Sequence, residues 1–228
     1  MTSQIDALNK VVTYYQSELQ QSNFAKDYLK SRNITDETIF KFQIGYAPNN
    51  PKYSPRFRNR IIFPIWNASG ILVGWTGRTL NNSPAKYLNT RESALFKKKQ
   101  LLYLYHFAKK QIFNTQEVIL VEGQMDAITL YQAGITNVVA TSGTTSFSEL
   151  SALLLGRYAN RVYIIFDTDE AGIKAELAVK VFLESVGIPE IISISLPSDH
   201  DPDTYLNKHS TQEFIGLLHG PNQTTTSS

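Results

Sequence analysis

The chain has 228 residues, 42% of them hydrophobic and 11% aromatic, which supports one large domain or two small ones with a real core. No apolar run approaches membrane-spanning length and the opening MTSQIDALNK lacks the apolar segment of a secretory signal, so a cytoplasmic protein without membrane contact is expected. With no Cys and four His, disulfides are excluded and a zinc site is not expected. The net charge is only +2, yet residues 1–115 carry seventeen Lys and Arg against six Asp and Glu, and residues 116–228 carry five against fourteen.

Residues 1–50 predict a helical lead-in. Leu8, Val11, Val12, Tyr15 and Leu19 fall on one helical stripe, and Phe24, Tyr28 and Leu29 begin a second. Thr35 with Thr38, Asp36 and Glu37 has the pattern of a capped third helix, which Gly45 and Pro48 bring to an end. Residues 51–115 predict a small basic subdomain of mixed α+β type, in which Arg60 to Ile65 and Ile71 to Trp75 form a hairpin across Asn67, Ser69 and Gly70. Between Lys52 and Lys110 stand twelve basic residues and a single acid, Glu92, interleaved with Tyr53, Phe57, Trp66, Trp75, Tyr87 and Phe96. Basic and aromatic side chains together suit nucleic acid, although Lys97, Lys98 and Lys99 alone would fit an ordinary solvated face equally well.

Residues 116–210 change character. The β-rich runs Val118 to Val121, Val138 to Ala140, Val162 to Phe166 and Ile191 to Ile194 alternate with helical stretches, so a mainly parallel sheet is expected and the fold class is α/β, α+β overall. Ligands of such sheets sit beyond the carboxyl ends of the strands. Acids stand there: Glu122 and Asp126 in VILVEGQMD, Asp167 and Asp169 in VYIIFDTDEAG, Asp201 and Asp203 in SLPSDHDPD. A spacing of two puts Asp167 and Asp169 on one face of an extended backbone. So many carboxylates in one place would repel unless a hard divalent cation, Mg²⁺ or Mn²⁺, compensated them, and a metal site handling phosphates needs a cationic surface beside it. Gly123, Gly143 and Gly172 would allow close turns there. Residues 211–228 predict a terminal helix and, from 221 on, a disordered tail.

VEGQMD, SGTTSF, FDTDEAG and DPDTY, in this order, resemble the Toprim domain shared by bacterial (DnaG-type) primases, topoisomerases and some nucleases. FRNRIIFPIWNASGILVGWTGR, PAKYLNTRESALFKKKQLLY and DYLKSRNITDETIFKFQIGYAP resemble the basic subdomain of the primase RNA-polymerase core and its helical lead-in. The resemblance implies that Glu122, Asp167 and Asp169 are catalytic and hold metal with Asp126, Asp201 and Asp203. It implies that Arg60, Arg78, Lys86 and Tyr87, with Arg58 and Lys97, hold nucleotide phosphates and template. The implied activity is DNA-templated RNA primer synthesis with two Mg²⁺ or Mn²⁺ ions. The implied partners are single-stranded DNA, ribonucleoside triphosphates and a replicative helicase, the last through a region this chain lacks. This sequence holds no counterpart of the family's Cys-rich zinc domain, as expected for either an excised core or a compact stand-alone primase, the GYAP to RFRNR segment is short, and KKKQ replaces a basic-Gly pattern. Toprim strand cleavage, as in a nuclease or topoisomerase, and a non-catalytic DNA-binding module are the alternatives.

Overall fold

The computed structural model describes residues 2–81, 83, 85–141, 143, 146–197, 200–220 and, as backbone, 223–226. The chain divides into two compact units, Met1–Lys97 and Lys98–Ser228.

The first unit begins with α1 (Thr2–Gln21), α2 (Asn23–Ser31) and α3 (Asp36–Lys41). The Ala25 N–H donates to Ser22 Oγ and the Thr38 N–H to Thr35 Oγ1, both at 3.2 Å, so each hydroxyl satisfies a backbone donor that its helix cannot. Four antiparallel strands follow in sheet order: β1 (Gly45–Ala47), β2 (Arg60–Trp66), β3 (Leu72–Thr79) and β4 (Tyr87–Asn89). The expected hairpin is β2 and β3. Asn67 closes its turn, Oδ1 accepting from the Ser69 and Ile71 N–H groups at 3.0 Å.

Gly45, expected to stop a helix, instead opens β1 opposite Ile62. A Cβ there would come within 2.7 Å of Tyr15, so glycine lets the strand lie against α1. Val12 and Tyr15 accordingly share a core with Ala47, Phe57, Ile62, Leu72 and Trp75. The helical lead-in is therefore one face of the basic unit, since its amphipathic stripe needs that sheet to bury against.

The second unit runs α4 (Tyr105–Thr115), β5 (Glu117–Val121), α5 (Gln124–Gln132), β6 (Val138–Ala140), α6 (Glu149–Gly156), β7 (Arg161–Ile165), α7 (Glu170–Ser185), β8 (Glu190–Ile194), α8 (Pro202–Leu206), α9 (Thr211–Leu218) and β9 (Gln223–Thr226). Its sheet has the order β6-β5-β7-β8-β9, parallel except for the β8–β9 pair. Val118 to Val121 and Val162 to Ile165 are buried without interruption, as strands of a parallel sheet require. Two boundaries differ from the sequence reading. The segment from Lys98 through α4 belongs to this unit rather than to the basic one. Within the tail expected to be disordered, residues 223–226 pair with the β8 edge, where a run of β-branched Thr suits extended backbone. Residues 221, 222, 227 and 228 of that tail lie outside the described residues, as do 142, 144 and 145 of the Thr141 to Ser146 turn and 198 and 199 of the third acidic cluster.

Candidate active site

From β5 the chain crosses through α5 to β6 on one side, and from β7 it crosses through α7 to β8 on the other. The order reverses between β5 and β7, which run in register with Val121 beside Ile165. A crevice beyond the carboxyl ends of the strands at such a reversal is where open α/β sheets bind ligands. Glu122 directly follows β5 and Asp167 comes two residues after β7, so both stand at the carboxyl ends of the adjacent strands that flank the reversal.

The six acids are not equivalent. Glu122 is half-buried, and Asp167 and Asp169 are exposed. Asp169 is the N-cap of α7, its Oδ1 accepting from the Gly172 N–H at 2.7 Å. Asp201 caps α8 in the same way: its Oδ1 accepts from the Thr204 N–H at 2.7 Å and from Thr204 Oγ1 at 2.6 Å. Both aspartates keep Oδ2 outside these caps. Asp126 uses both oxygens, Oδ2 accepting from the Gly123 N–H at 3.2 Å and Oδ1 from the Asp203 N–H at 3.4 Å.

Asp203 is fully buried, and Thr129 Oγ1 donates to its Oδ1 at 2.8 Å. Through this bond Asp203, expected as a metal ligand, also joins α8 to α5. A Cβ at Gly172 would overlap the Asp167 carbonyl oxygen, so only glycine lets the first turn of α7 pack on the loop that holds Asp167 and Asp169.

The donors at the reversal are carboxylate oxygens without sulfur or imidazole, a set that fits Mg²⁺ or Mn²⁺. Among the described residues, no three His, Cys, Asp or Glu side chains already form a metal-holding group. Asp126, Asp169 and Asp201 each stand at a helix N-terminus, whose partial positive charge offsets part of their mutual repulsion.

In the first unit the basic residues also separate. Arg60, expected to clamp phosphate, is buried; Nη1 donates to the Gly77 and Lys86 carbonyls at 3.0 and 3.3 Å, and Nη2 to the Ala85 carbonyl and Ser83 Oγ at 3.0 and 3.3 Å. It holds the β3–β4 connection, and so the backbone of Lys86, in place. Arg78 is half-buried, and its Nη1 donates to Tyr87 Oη at 2.8 Å from the neighbouring strand. Tyr28, which the sequence presents only as part of a packing stripe, lies over the same guanidinium. No local spacing signals that contact, because α2 and β3 are far apart in the chain. Lys86, Lys97 and Arg58 are exposed, Arg58 Nε donating to the Pro55 carbonyl at 3.0 Å.

Residues 14–54 and 49–109 match the family model described as DNA primase catalytic core, N-terminal domain, and residues 119–206 match the Toprim-like model. A DnaG primase catalytic domain solved bound to single-stranded DNA superimposes with a TM-score of 0.83 at 30% identity, over 94% of this chain and 77% of that one. This chain belongs to the bacterial DnaG-type primase family. The zinc-binding and RNA polymerase domains of the Aquifex aeolicus primase give a TM-score of 0.88 at 30% identity, over 97% of this chain and 61% of that one. The DNA primase of Geobacillus stearothermophilus is 36% identical over 226 residues, covering 86% of this chain and 37% of the relative. The chain thus spans little more than a third of that primase's length. No helix among the described residues is long and apolar enough to cross a membrane.

Proposed function

We propose that this chain is a primase catalytic core that synthesises RNA primers on a DNA template by nucleotidyl transfer. The observation that carries the reading is the position of Glu122 and Asp167 at the ends of the two adjacent strands flanking the order reversal of a primase-family Toprim unit. Glu122, Asp167 and Asp169 would hold two divalent ions, with Asp201 contributing the oxygen outside its cap. Bound Mg²⁺ or Mn²⁺ would lower the pKa of the attacking 3′-hydroxyl and stabilise the pyrophosphate leaving group. Asp126 and Asp203 would act through the junction of α5 and α8, keeping Glu122 and Asp201 in position.

Arg78, Tyr87, Lys86, Lys97 and Arg58 would bind template and nucleotide phosphates, with Arg60 positioning Lys86. Single-stranded DNA enters as a partner by analogy with the relative solved in its presence. Ribonucleoside triphosphates follow from the reaction, and contact with a replicative helicase would fall to a region outside this sequence. The enzyme would work in the cytoplasm. Incubation with single-stranded template, labelled ribonucleotides and Mg²⁺ tests the reading: new oligoribonucleotides are expected. Cleavage of the template, or binding without any product, would overturn it in favour of a strand-cleaving or non-catalytic Toprim protein.

A further inference from the structure

Tyr28 stands on α2, in an element with no other role in the site. Its ring centroid lies 5.4 Å from the guanidinium carbon of Arg78, and the Tyr87 ring lies 5.5 Å away. With the 2.8 Å hydrogen bond to Tyr87 Oη, Arg78 is held by two aromatic rings and one phenolic oxygen. The Tyr28 hydroxyl is buried beside the Arg78 guanidinium, close enough to favour its charge but without a hydrogen bond of normal geometry. Burial raises the pKa of Tyr28 above its ordinary value, so the residue is a neutral phenol and brings no counter-charge. What it offers Arg78 is the face of its ring, a cation–π surface that restricts a long, otherwise mobile side chain.

We propose that Tyr28 is a positioning residue for single-stranded nucleic acid, its ring orienting the Arg78 guanidinium toward a template phosphate. The inference rests on the template-binding role of Arg78 proposed above. Positioning makes a distinctive prediction, because Tyr28 then contributes only through Arg78 and carries no charge of its own.

The test is anisotropy binding of a fluorescein-labelled single-stranded oligodeoxynucleotide to the whole chain over a range of salt concentrations. Tyr28→Ala is expected to weaken binding about three- to tenfold, the range of a cation–π contact, with an unchanged salt slope. Arg78→Ala should weaken binding and lower the slope by about one. The double variant should bind within about twofold of Arg78→Ala, since contributions passing through one residue do not add. Tyr28→Phe, which keeps the ring, should stay within about twofold of the parent.

Should Tyr28→Ala fail to fold, Tyr28→Leu fills the space without a π face and should bind as weakly as predicted for Ala. Parent-like binding by the Ala or Leu variant, or independent multiplying losses in the double variant, overturns the inference while leaving Arg78 as a template contact. Parent-like affinity and slope in Arg78→Ala would instead remove the template role of Arg78 and this inference with it.

Discussion

Asp169 has two tasks that a pair of substitutions separates. As N-cap of α7 it accepts from the Gly172 N–H at 2.7 Å, and as a proposed ligand it presents its other oxygen to a metal ion. Asp169→Ala removes both. Loss of an N-cap acceptor costs about 1 kcal/mol, and for a domain of this size each kcal/mol moves the Tm by about 2–4 °C, so a fall of about that size is expected. Asp169→Asn keeps an oxygen for the cap, and Asn ranks level with Asp at this position, so its Tm without metal should match the parent. As ligands, an amide and a methyl group are both poor substitutes for a carboxylate. If the ions supply several kcal/mol of transition-state stabilisation, both variants should lose about a hundredfold or more in primer yield, each 1.36 kcal/mol being a factor of ten. Added Mg²⁺ should raise the parent Tm by mass action but barely change that of Asp169→Asn. Circular-dichroism melts with and without Mg²⁺, run beside a primer-synthesis assay, read all of this. Parent-like synthesis by Asp169→Asn would refute the ligand role, and an equal loss of Tm in both variants would refute the cap.

Thr129→Val preserves side-chain shape but removes the donor to the buried Asp203 oxygen. A loss of about 1–3 kcal/mol is expected in urea denaturation, and no loss would mean that α8 is fastened to α5 by other contacts. Arg60→Lys keeps the charge but cannot reproduce a planar fork reaching three carbonyls and a hydroxyl; about 1–3 kcal/mol of destabilisation is expected, and parent-like stability would show those bonds to be dispensable. At the opposite end of the parallel sheet, Arg161 bonds Glu117 and Glu190 at 2.6 Å each, and its hydrogen bond holds the Glu190 carboxyl below its ordinary 4.5. A lowered folded-state pKa gives stability that is present above the unfolded value and lost as pH falls through the folded one. Melts from pH 7 to pH 3 should therefore fall more for the parent than for Arg161→Met, and parallel acid limbs would show that the pair contributes nothing.

The legibility of these features in the sequence follows the range of the physics behind them. The parallel strands were readable because each is a short apolar, β-rich run set between helical stretches, two of them closed by the acids Glu122 and Asp167, and the hairpin because Asn67 to Gly70 carries its own turn chemistry. β1 and β4 were not, since GYA and YLN contain no β-branched residue and exist as strands only through pairing with β2 and β3. The burial of Arg60 was equally hidden: its acceptors are carbonyls of distant residues, and a basic side chain looks the same whether it faces a phosphate or the protein's own backbone.

The acids show the limit most clearly. In a parallel α/β unit the carboxyl end of a strand is also where the next helix begins, so an Asp there serves equally well as a ligand or as a cap. Electrostatic repulsion argues for an ion only if nothing else compensates the charges, and here helix N-termini compensate Asp126, Asp169 and Asp201. What distinguishes the acids is solvent access as well as hydrogen bonding. Asp126 uses one oxygen in the α5 cap and the other toward α8, and Asp203 is fully buried with Thr129 on its Oδ1, whereas the exposed Asp169 and half-buried Asp201 use Oδ1 in their caps. An ion can therefore engage Asp169 and Asp201 without unwinding a helix, while engaging Asp126 would compete with its bonds to the Gly123 and Asp203 N–H groups and reaching Asp203 would require opening its buried position. On the proposed metal-site reading, this cost makes Asp169 and Asp201 easier ligands than Asp126 and Asp203.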